Sequence, residues 1–387
     1  MKIVHVIASI DPAGGGPPQV AVRLAAAQAQ LGHEVHVVTY APADSDSEER
    51  TQQQLATVPH VQALRIHKLT PPNLLERFAA GEAERSFAQM LPQSDYVHLH
   101  GIWERALHRA ASAAQQVGIP YCVRPAGMLN PWSLAQKPWK KRLALSLGVR
   151  RVLNGARFIH CLNAEEAALI EPLGLTPPSL VFPNGVFLEE IEPLPNSGTF
   201  VSAHPRLRGR RFILFLGRLH QVKGLEFLAE AWAQCAGAVP EVDLVVAGPD
   251  GGAKTDFEAR IASAGLSHRV HLVGPLYGAD KYAALVDAAC FCLPSKQEGF
   301  SVAIVEALAC GVPVIMSEAC RFPEAAAAGA AQMIPLEATA LAEALRGLLT
   351  NPNQAEAMGR AGRDLIRHRY TWPAIATRIL DAYLNTQ

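Results

Sequence analysis

The apolar positions of this chain fall into short unbroken runs separated by longer stretches with a helical repeat. Residues 3–8, 34–39, 95–100, 120–123 and 157–161 read as strands. Residues 20–31 (VAVRLAAAQAQL) read as an Ala-rich helix stopped by Gly32. Runs that are apolar throughout, rather than alternating, belong to strands covered on both faces, as in a parallel sheet flanked by helices. After Val186 the pattern lapses. Residues 189–211 are rich in Pro, Ser, Gly and Arg and carry no period, which predicts an interdomain linker. The pattern then restarts. Strands are expected at 212–216, 242–247, 270–273, 290–293 and 314–316, with helices at 224–236, 256–264, 280–289 and 302–309, and 336–384 almost wholly helical. The fold class expected is α/β: two Rossmann-like, doubly wound parallel-sheet domains facing across a cleft, at 1–190 and 212–370, joined by 191–211. The break at Tyr370-Thr371-Trp372-Pro373 leaves a last helix, 371–387, expected to pack back on the first domain.

Composition narrows the function. A chain of 387 residues with 49% hydrophobic and 18% charged residues suits two globular cores. Lys+Arg and Asp+Glu both total 35, so no overall basic field favours nucleic acid. Seven scattered cysteines without a CxxC pair point to reduced thiols and a cytoplasmic protein. The first apolar run is broken by Asp11-Pro12, so no signal peptide is expected. No run of about 18 apolar residues predicts a membrane span.

Candidate chemistry collects at strand ends. The run 212–216 leads into Gly217-Arg218-Leu219-His220-Gln221-Val222-Lys223-Gly224. Arg218 at a strand end and Lys223 before a helix would converge on one anion; apart, they would be ordinary solvated cations. Residues 290–293 lead into Pro294-Ser295-Lys296-Gln297-Glu298-Gly299-Phe300-Ser301, and a helix follows. Its first turn offers N–H groups to a phosphate. Glu306, flanked by apolar residues in that helix, suits two neighbouring hydroxyls such as those of ribose, and Glu298 suits hydroxyls of a sugar. Between the first strand and helix, Gly14-Gly15-Gly16-Pro17 is a tight turn or a loop whose backbone can approach a phosphate. It is neither a P-loop nor GxGxxG, which disfavours a nicotinamide cofactor. Alternation places His98 and His100 on one strand face, without the carboxylate or Cys partners of a metal site. Residues 137–151, with Trp139 and several Lys and Arg, form a basic amphipathic stretch. It would lie on anionic lipid or serve as an ordinary surface helix packing Leu143, Leu145 and Leu147 inward.

Five motifs in order, Phe182-Pro183-Asn184-Gly185-Val186, the loop 246–252 (VAGPDGG), Val273-Gly274-Pro275-Leu276, Glu298 and Glu306 followed by ALACGVPV, and Phe322-Pro323-Glu324, resemble the retaining glycosyltransferases of family 4, which have the GT-B fold. The likeness runs nearly end to end and extends to group 1 enzymes of cell-surface polysaccharide synthesis. It implies a nucleotide-diphosphate sugar donor (UDP- or GDP-) and a glycan or lipid-linked saccharide acceptor. It implies retention of anomeric configuration by a front-face mechanism, and no metal or other cofactor. By the same resemblance, Arg218 and Lys223 bind the diphosphate, Glu298 contacts the transferred sugar and Glu306 the ribose. Gly15, Gly16, Gly217, Gly299, Phe300 and Ser301 line the donor, His100 is an active-site histidine facing the sugar, and Arg124 contacts the acceptor. A lipid-linked acceptor would suit a protein held peripherally at the inner face of the plasma membrane through 137–151.

Overall fold

A computed structural model describes residues 1–385. The chain divides into two compact units: residues 1–184 with the final helix Trp372–Asn385, and residues 185–371. Each is built on one wholly parallel sheet.

In the first unit, strands β1 (Lys2–Val6), β2 (Glu34–Tyr40), β3 (Leu64–Leu69), β4 (Tyr96–His100), β5 (Tyr121–Arg124), β6 (Ile159–Cys161) and β7 (Ser179–Val181) lie in the order β3-β2-β1-β4-β5-β6-β7. The centre is apolar on both faces, as the unbroken runs require: Ile3, Val4, Val37, Val97, Leu99 and Val123 are all buried. Helix Gly16–Gln30 covers one side through Val20, Leu24, Ala25 and Ala27, and the final helix packs beside it. Set into this apolar centre are four polar rings, His5, His98, His100 and His160, on β1, β4 and β6.

In the second unit, β8 (Arg211–Leu216), β9 (Val242–Ala247), β10 (Val270–Gly274), β11 (Cys290–Leu293), β12 (Val314–Ser317) and β13 (Ala331–Ile334) are ordered β10-β9-β8-β11-β12-β13. Both sheets reverse direction of growth at one seam, β1/β4 in the first and β8/β11 in the second. At such a seam the loops leaving the carboxyl ends diverge and leave a crevice for ligands.

Three strands were absent from the sequence expectation: β3, β7 and β13. All three are sheet edges, where a half-exposed strand needs no continuous apolar run; β7 is half-buried at every position. The segment 191–211, expected as a linker, is folded into the second unit. Its helix Thr199–Ala203 is held by Asp287, which accepts from Gly198 N (2.5 Å) and Val201 N (3.0 Å), and Phe200 is buried against Phe212. Three apolar anchors, Ile191, Phe200 and Leu207, secure a stretch too irregular to show a period. The region 336–384 forms three helices, Ala338–Leu349, Pro352–Arg369 and Trp372–Asn385. Positions 386 and 387 of the expected last helix lie outside the described residues. Residues 137–151 are not one helix: Pro138–Ala144 gives way to a wider turn over Leu145–Val149 before Arg150–Asn154, and Leu143 and Leu147 are exposed rather than packed inward. All seven cysteines are buried and unpaired. Among the described residues no helix is long and apolar enough to cross a membrane.

Candidate functional site

The second unit gathers its chemistry at the β8/β11 seam. After β8 the chain makes one turn, Gln221–Lys223, capped by the His220 ring, which accepts from Val222 N at 3.2 Å. Gly224 then takes φ +69°, and a Cβ there would lie 1.8 Å from the Pro294 carbonyl oxygen, so only glycine lets the two loops touch. Lys296 N donates to Val222 O (2.7 Å) and locks them. The result is an ion pair across the seam: Lys223 Nζ lies 2.5 Å from Glu298 Oε1, and Ser295 Oγ donates to the same oxygen at 2.6 Å. Glu298 is fixed from behind by its own N–H on Ala319 O, 3.0 Å. The Lys223 stem also passes over Gly217, with Cε 3.9 Å from where a Cβ would stand.

Arg218 is exposed at the rim. The β9 loop supports it: Leu219 N donates to Pro249 O and Gly251 N to Leu219 O, both at 2.9 Å. A Cβ on Gly251 would lie 2.9 Å from Arg218 Cγ and Cδ, so the loop 246–252 is shaped to carry this arginine. Helix Val302–Ala309 starts beyond Glu298, and the Ser301 side chain does not cap it. Its positive end is thus left for an outside acceptor. Glu306, 7% exposed, pairs with Lys281 Nζ at 2.6 Å. The Phe300 ring packs on Phe322 (4.8 Å) and Tyr370 (6.0 Å), which anchors the loop.

In the first unit the loop after β1 is ordered by Asp11. Its carboxylate caps the turn Pro12–Gly14 through Ala13 N and takes two hydrogen bonds from Arg50. Burial alone would raise Asp11, but these bonds outweigh it and hold it below the usual carboxylate range. Gly15 adopts φ 88°, ψ −143°, a region open essentially to glycine, and Gly16 begins a helix without a side-chain cap. At the end of β4, His100 stacks on His98 (4.5 Å, 8°), and its Nε2 meets His5 Nδ1 at 2.9 Å. Burial pushes both residues on β4 well below the usual histidine range, and the charge of Arg124 adds to this. Arg124 itself is 2% exposed, with its guanidinium on Asn184 Oδ1 (2.8 Å) and burial lowering it to about 10. It lies opposite His100 in the β4/β5 register.

The structure therefore joins Gly217, Lys223 and Glu298, leaves Arg218 exposed on the same loop against Gly251, and gives Glu306 a separate cation. Sequence reasoning missed Lys281 and Ser295, single polar residues with no spacing to mark them. It also missed His5, His160, Gln28 and Tyr383 around His98 and His100, brought together only by strand order. His5, His98 and His100 place ring nitrogens within 4.8 Å of one another, the grouping a metal ion would need. Five of their six nitrogens are engaged in hydrogen bonds within the protein.

Residues 199–365 match the family described as glycosyl transferases group 1, and residues 15–185 match the glycosyl transferase 4-like domain. A phosphatidyl-myo-inositol mannosyltransferase of Mycobacterium leprae is 30% identical over 205 residues, 52% of this chain and 52% of that protein. The chain thus spans about half the length of the curated mycobacterial relatives it matches. Among solved structures, Anabaena HepE (Alr3699) in complex with UDP and glucose superposes with a TM-score of 0.78 at 19% identity, covering 100% of both chains. WaaG, a glycosyltransferase involved in lipopolysaccharide biosynthesis, gives 0.71 at 16% identity, covering 99% of this chain and 100% of its own. These last two likenesses establish a common fold, GT-B.

Proposed function

The chain belongs to the group 1 glycosyltransferases, and from that membership we propose that it moves a sugar from a nucleotide-diphosphate donor, UDP- or GDP-linked, to a glycan or lipid-linked saccharide, with retention of anomeric configuration. The observation that carries the proposal is the Lys223–Glu298 pair at the β8/β11 seam, beside the uncapped start of helix Val302–Ala309. Breaking a glycosidic bond to a diphosphate puts negative charge on the leaving oxygen. Arg218, Lys223 and helical N–H groups are preorganised to meet that charge, so the stabilisation grows as the bond breaks. A diphosphate arriving at Lys223 would share its ammonium with Glu298 and release carboxylate lone pairs to the hydroxyls of the transferred sugar. Glu306, held by Lys281, would accept from the ribose hydroxyls. Its low exposure makes those bonds strong, because water competes poorly there. HepE, solved with UDP and glucose, is a relative in fold that holds such ligands.

The test is incubation with UDP-, GDP- and ADP-sugars plus saccharide acceptors, following release of nucleoside diphosphate and the anomeric NMR signal of the product. Product with the donor's configuration supports the reading. Nucleotide-sugar binding without turnover would support a non-catalytic binding role in a polysaccharide assembly instead, and a changed sugar in place of a new linkage would indicate epimerisation.

A peripheral contact with the inner face of the plasma membrane is the second part of the reading. It is supported by Trp139 (66% exposed), Leu143 (50%) and Leu147 (73%), interleaved with Lys140, Lys141 and Arg142. Apolar side chains flanked by cations match an anionic lipid surface. Co-sedimentation with phosphatidylglycerol vesicles, weakened by salt and by Trp139→Ala, is the expected result; equal sedimentation with neutral vesicles would contradict it.

A further inference from the structure

The paired register of β11 and β12 runs only from Phe291–Val314 to Leu293–Met316. Pro294 follows, and without an N–H it cannot extend a ladder. Side chains take over from there. The hydroxyl of Ser317, the last residue of β12, donates to Ser295 O at 2.5 Å. The Cys320 thiol donates to Leu293 O at 3.3 Å, and its sulfur lies 3.6 Å from the Ser317 oxygen. Ala319 O takes the Glu298 N–H at 3.0 Å. Ser317 and the turn Glu318–Cys320 together grip the loop after β11 at Leu293, Ser295 and Glu298. Ser295, Ser317 and Cys320 are fully buried, so water does not compete for these bonds.

Ser295 passes this hold on to Glu298. With its carbonyl fixed by Ser317, its hydroxyl is aimed at Glu298 Oε1, three residues on, at 2.6 Å. A carboxylate only accepts, so the Ser295 proton points at Glu298. The same oxygen takes the Lys223 ammonium at 2.5 Å. Among the described residues no hydrogen bond reaches the other oxygen, Oε2, and the side chain keeps 10% exposure. Both protein donors are therefore on Oε1, and Oε2 is left for a ligand. The two donors differ in permanence. Lys223 ends in a cation on a flexible stem, which a diphosphate attracts. Ser295 is a neutral, buried hydroxyl, which an anion does not draw away. Without it the carboxylate would follow its departing cation toward the phosphates, where like charges repel. We infer that Ser295 is the positioning residue that keeps Glu298 Oε2 presented to a substrate hydroxyl once Lys223 has turned to the diphosphate, and that Ser317 is the anchor through which Ser295 acts. That the substrate is a sugar nucleotide rests on the proposed function; the chain of hydroxyls from Ser317 through Ser295 to Glu298 does not.

A crystal structure of the Lys223→Ala variant tests the chain of hydroxyls without any ligand, since it imitates the departed ammonium. Glu298 Oε1 is expected to stay on Ser295 Oγ. A carboxylate turned away from Ser295 would overturn the inference. Binding measurements on the full chain test its use. Ser295→Ala should bind UDP-glucose or GDP-mannose, whichever wild type accepts, about tenfold more weakly, the scale of one hydrogen bond. Its affinity for the matching UDP or GDP should not change. Ser295→Thr keeps the hydroxyl and should restore most of the lost affinity, even where the added methyl lowers the melting temperature. Ser317→Ala should also weaken the sugar nucleotide. The double variant Ser295→Ala/Ser317→Ala should lose no more than Ser295→Ala alone, because the anchor acts through Ser295. Equal losses in Ser295→Ala and Ser295→Thr, or an equal loss for sugar nucleotide and nucleoside diphosphate, would overturn the positioning role. Additive losses in the double variant would overturn the anchor. Should neither sugar nucleotide bind wild type, the proposed function fails, and the Glu298 orientation in Lys223→Ala still decides the hydroxyl chain.

Discussion

Lys223 and Glu298 meet across the seam of the second sheet, Nζ to Oε1 at 2.5 Å, and so tie the loop leaving β8 to the loop leaving β11. Neither loop reaches far in sequence toward the other; the crossover of a parallel sheet makes them neighbours. In the proposed reaction the pair would hold the ammonium in place before a diphosphate arrives, so that little reorganisation is needed when charge develops.

Lys223→Ala and Arg218→Ala are each expected to lower turnover by on the order of 10²-fold or more, as when a charge-stabilising donor is lost. Initial rates with saturating donor check this. The double variant Lys223→Ala/Glu298→Ala should lose less than the two single losses combined, because residues in contact couple. Wild-type rates in both single variants would contradict the assignment.

Glu306 and Lys281 form the other pair, with side chains only 10% and 17% exposed. Glu306→Gln is expected to raise the donor KM about tenfold and to leave the fold intact, since the amide keeps the shape and one acceptor. Lys281→Met strands a buried carboxylate and should cost about 2–4 kcal/mol of stability. Urea unfolding separates the two effects.

Gly224→Ala places a Cβ 1.8 Å from Pro294 O at a left-handed φ of +69°. The seam must open, so both stability and turnover should fall, the former by about 2 kcal/mol or more. Gly359→Ala meets Gly311 O at 2.1 Å, away from the seam. It should lower the melting temperature yet leave nucleotide affinity unchanged.

The two units are expected to respond differently to acid. Burial, only partly offset by the Gln28 hydrogen bond, lowers His5 to about 4, and burial likewise drives His98, His100 and His160 well below 6.5. An unfolded histidine binds a proton near 6.5 and the folded one does not, so the unfolded state gains as pH drops. Stability of the first unit is complete above about pH 6.5 and is lost progressively below it; His5 alone removes about 2 kcal/mol at pH 5. In the second unit, burial of Asp243 opposes its charge. The hydrogen bonds from Arg210 and His271 outweigh that burial and hold its carboxyl below 3.8. The stability these bonds provide is complete above that value and is lost only as pH falls further. Amide exchange at pH 7.5 and pH 5 should show the strands β1 and β4 losing protection before β8 and β9 do.

Much of this was legible before folding. Unbroken runs such as 212–216 announced buried parallel strands, and the strand-to-helix loops bearing Arg218, Lys223 and Glu298 announced the seam. Edge strands escaped notice because β3 and β7 are half-exposed and share their composition with loops. Lys281 gives no signal at all until its helix lies against that of Glu306. The buried histidine cluster was half visible: period two put His98 beside His100, but His5, His160 and Tyr383 reach them only through strand order and the return of the final helix, which no local pattern encodes.

Calorimetric titration of UDP, GDP and ADP into wild type, Arg218→Ala and Lys223→Ala tests the central claim, that the second sheet's seam neutralises a diphosphate, most directly. Wild type should bind one of the three, more weakly as salt rises, and each variant should lose about ten- to a hundredfold, the range for a charged hydrogen bond. Unchanged affinity in both variants, or no binding of any nucleotide by wild type, would contradict it.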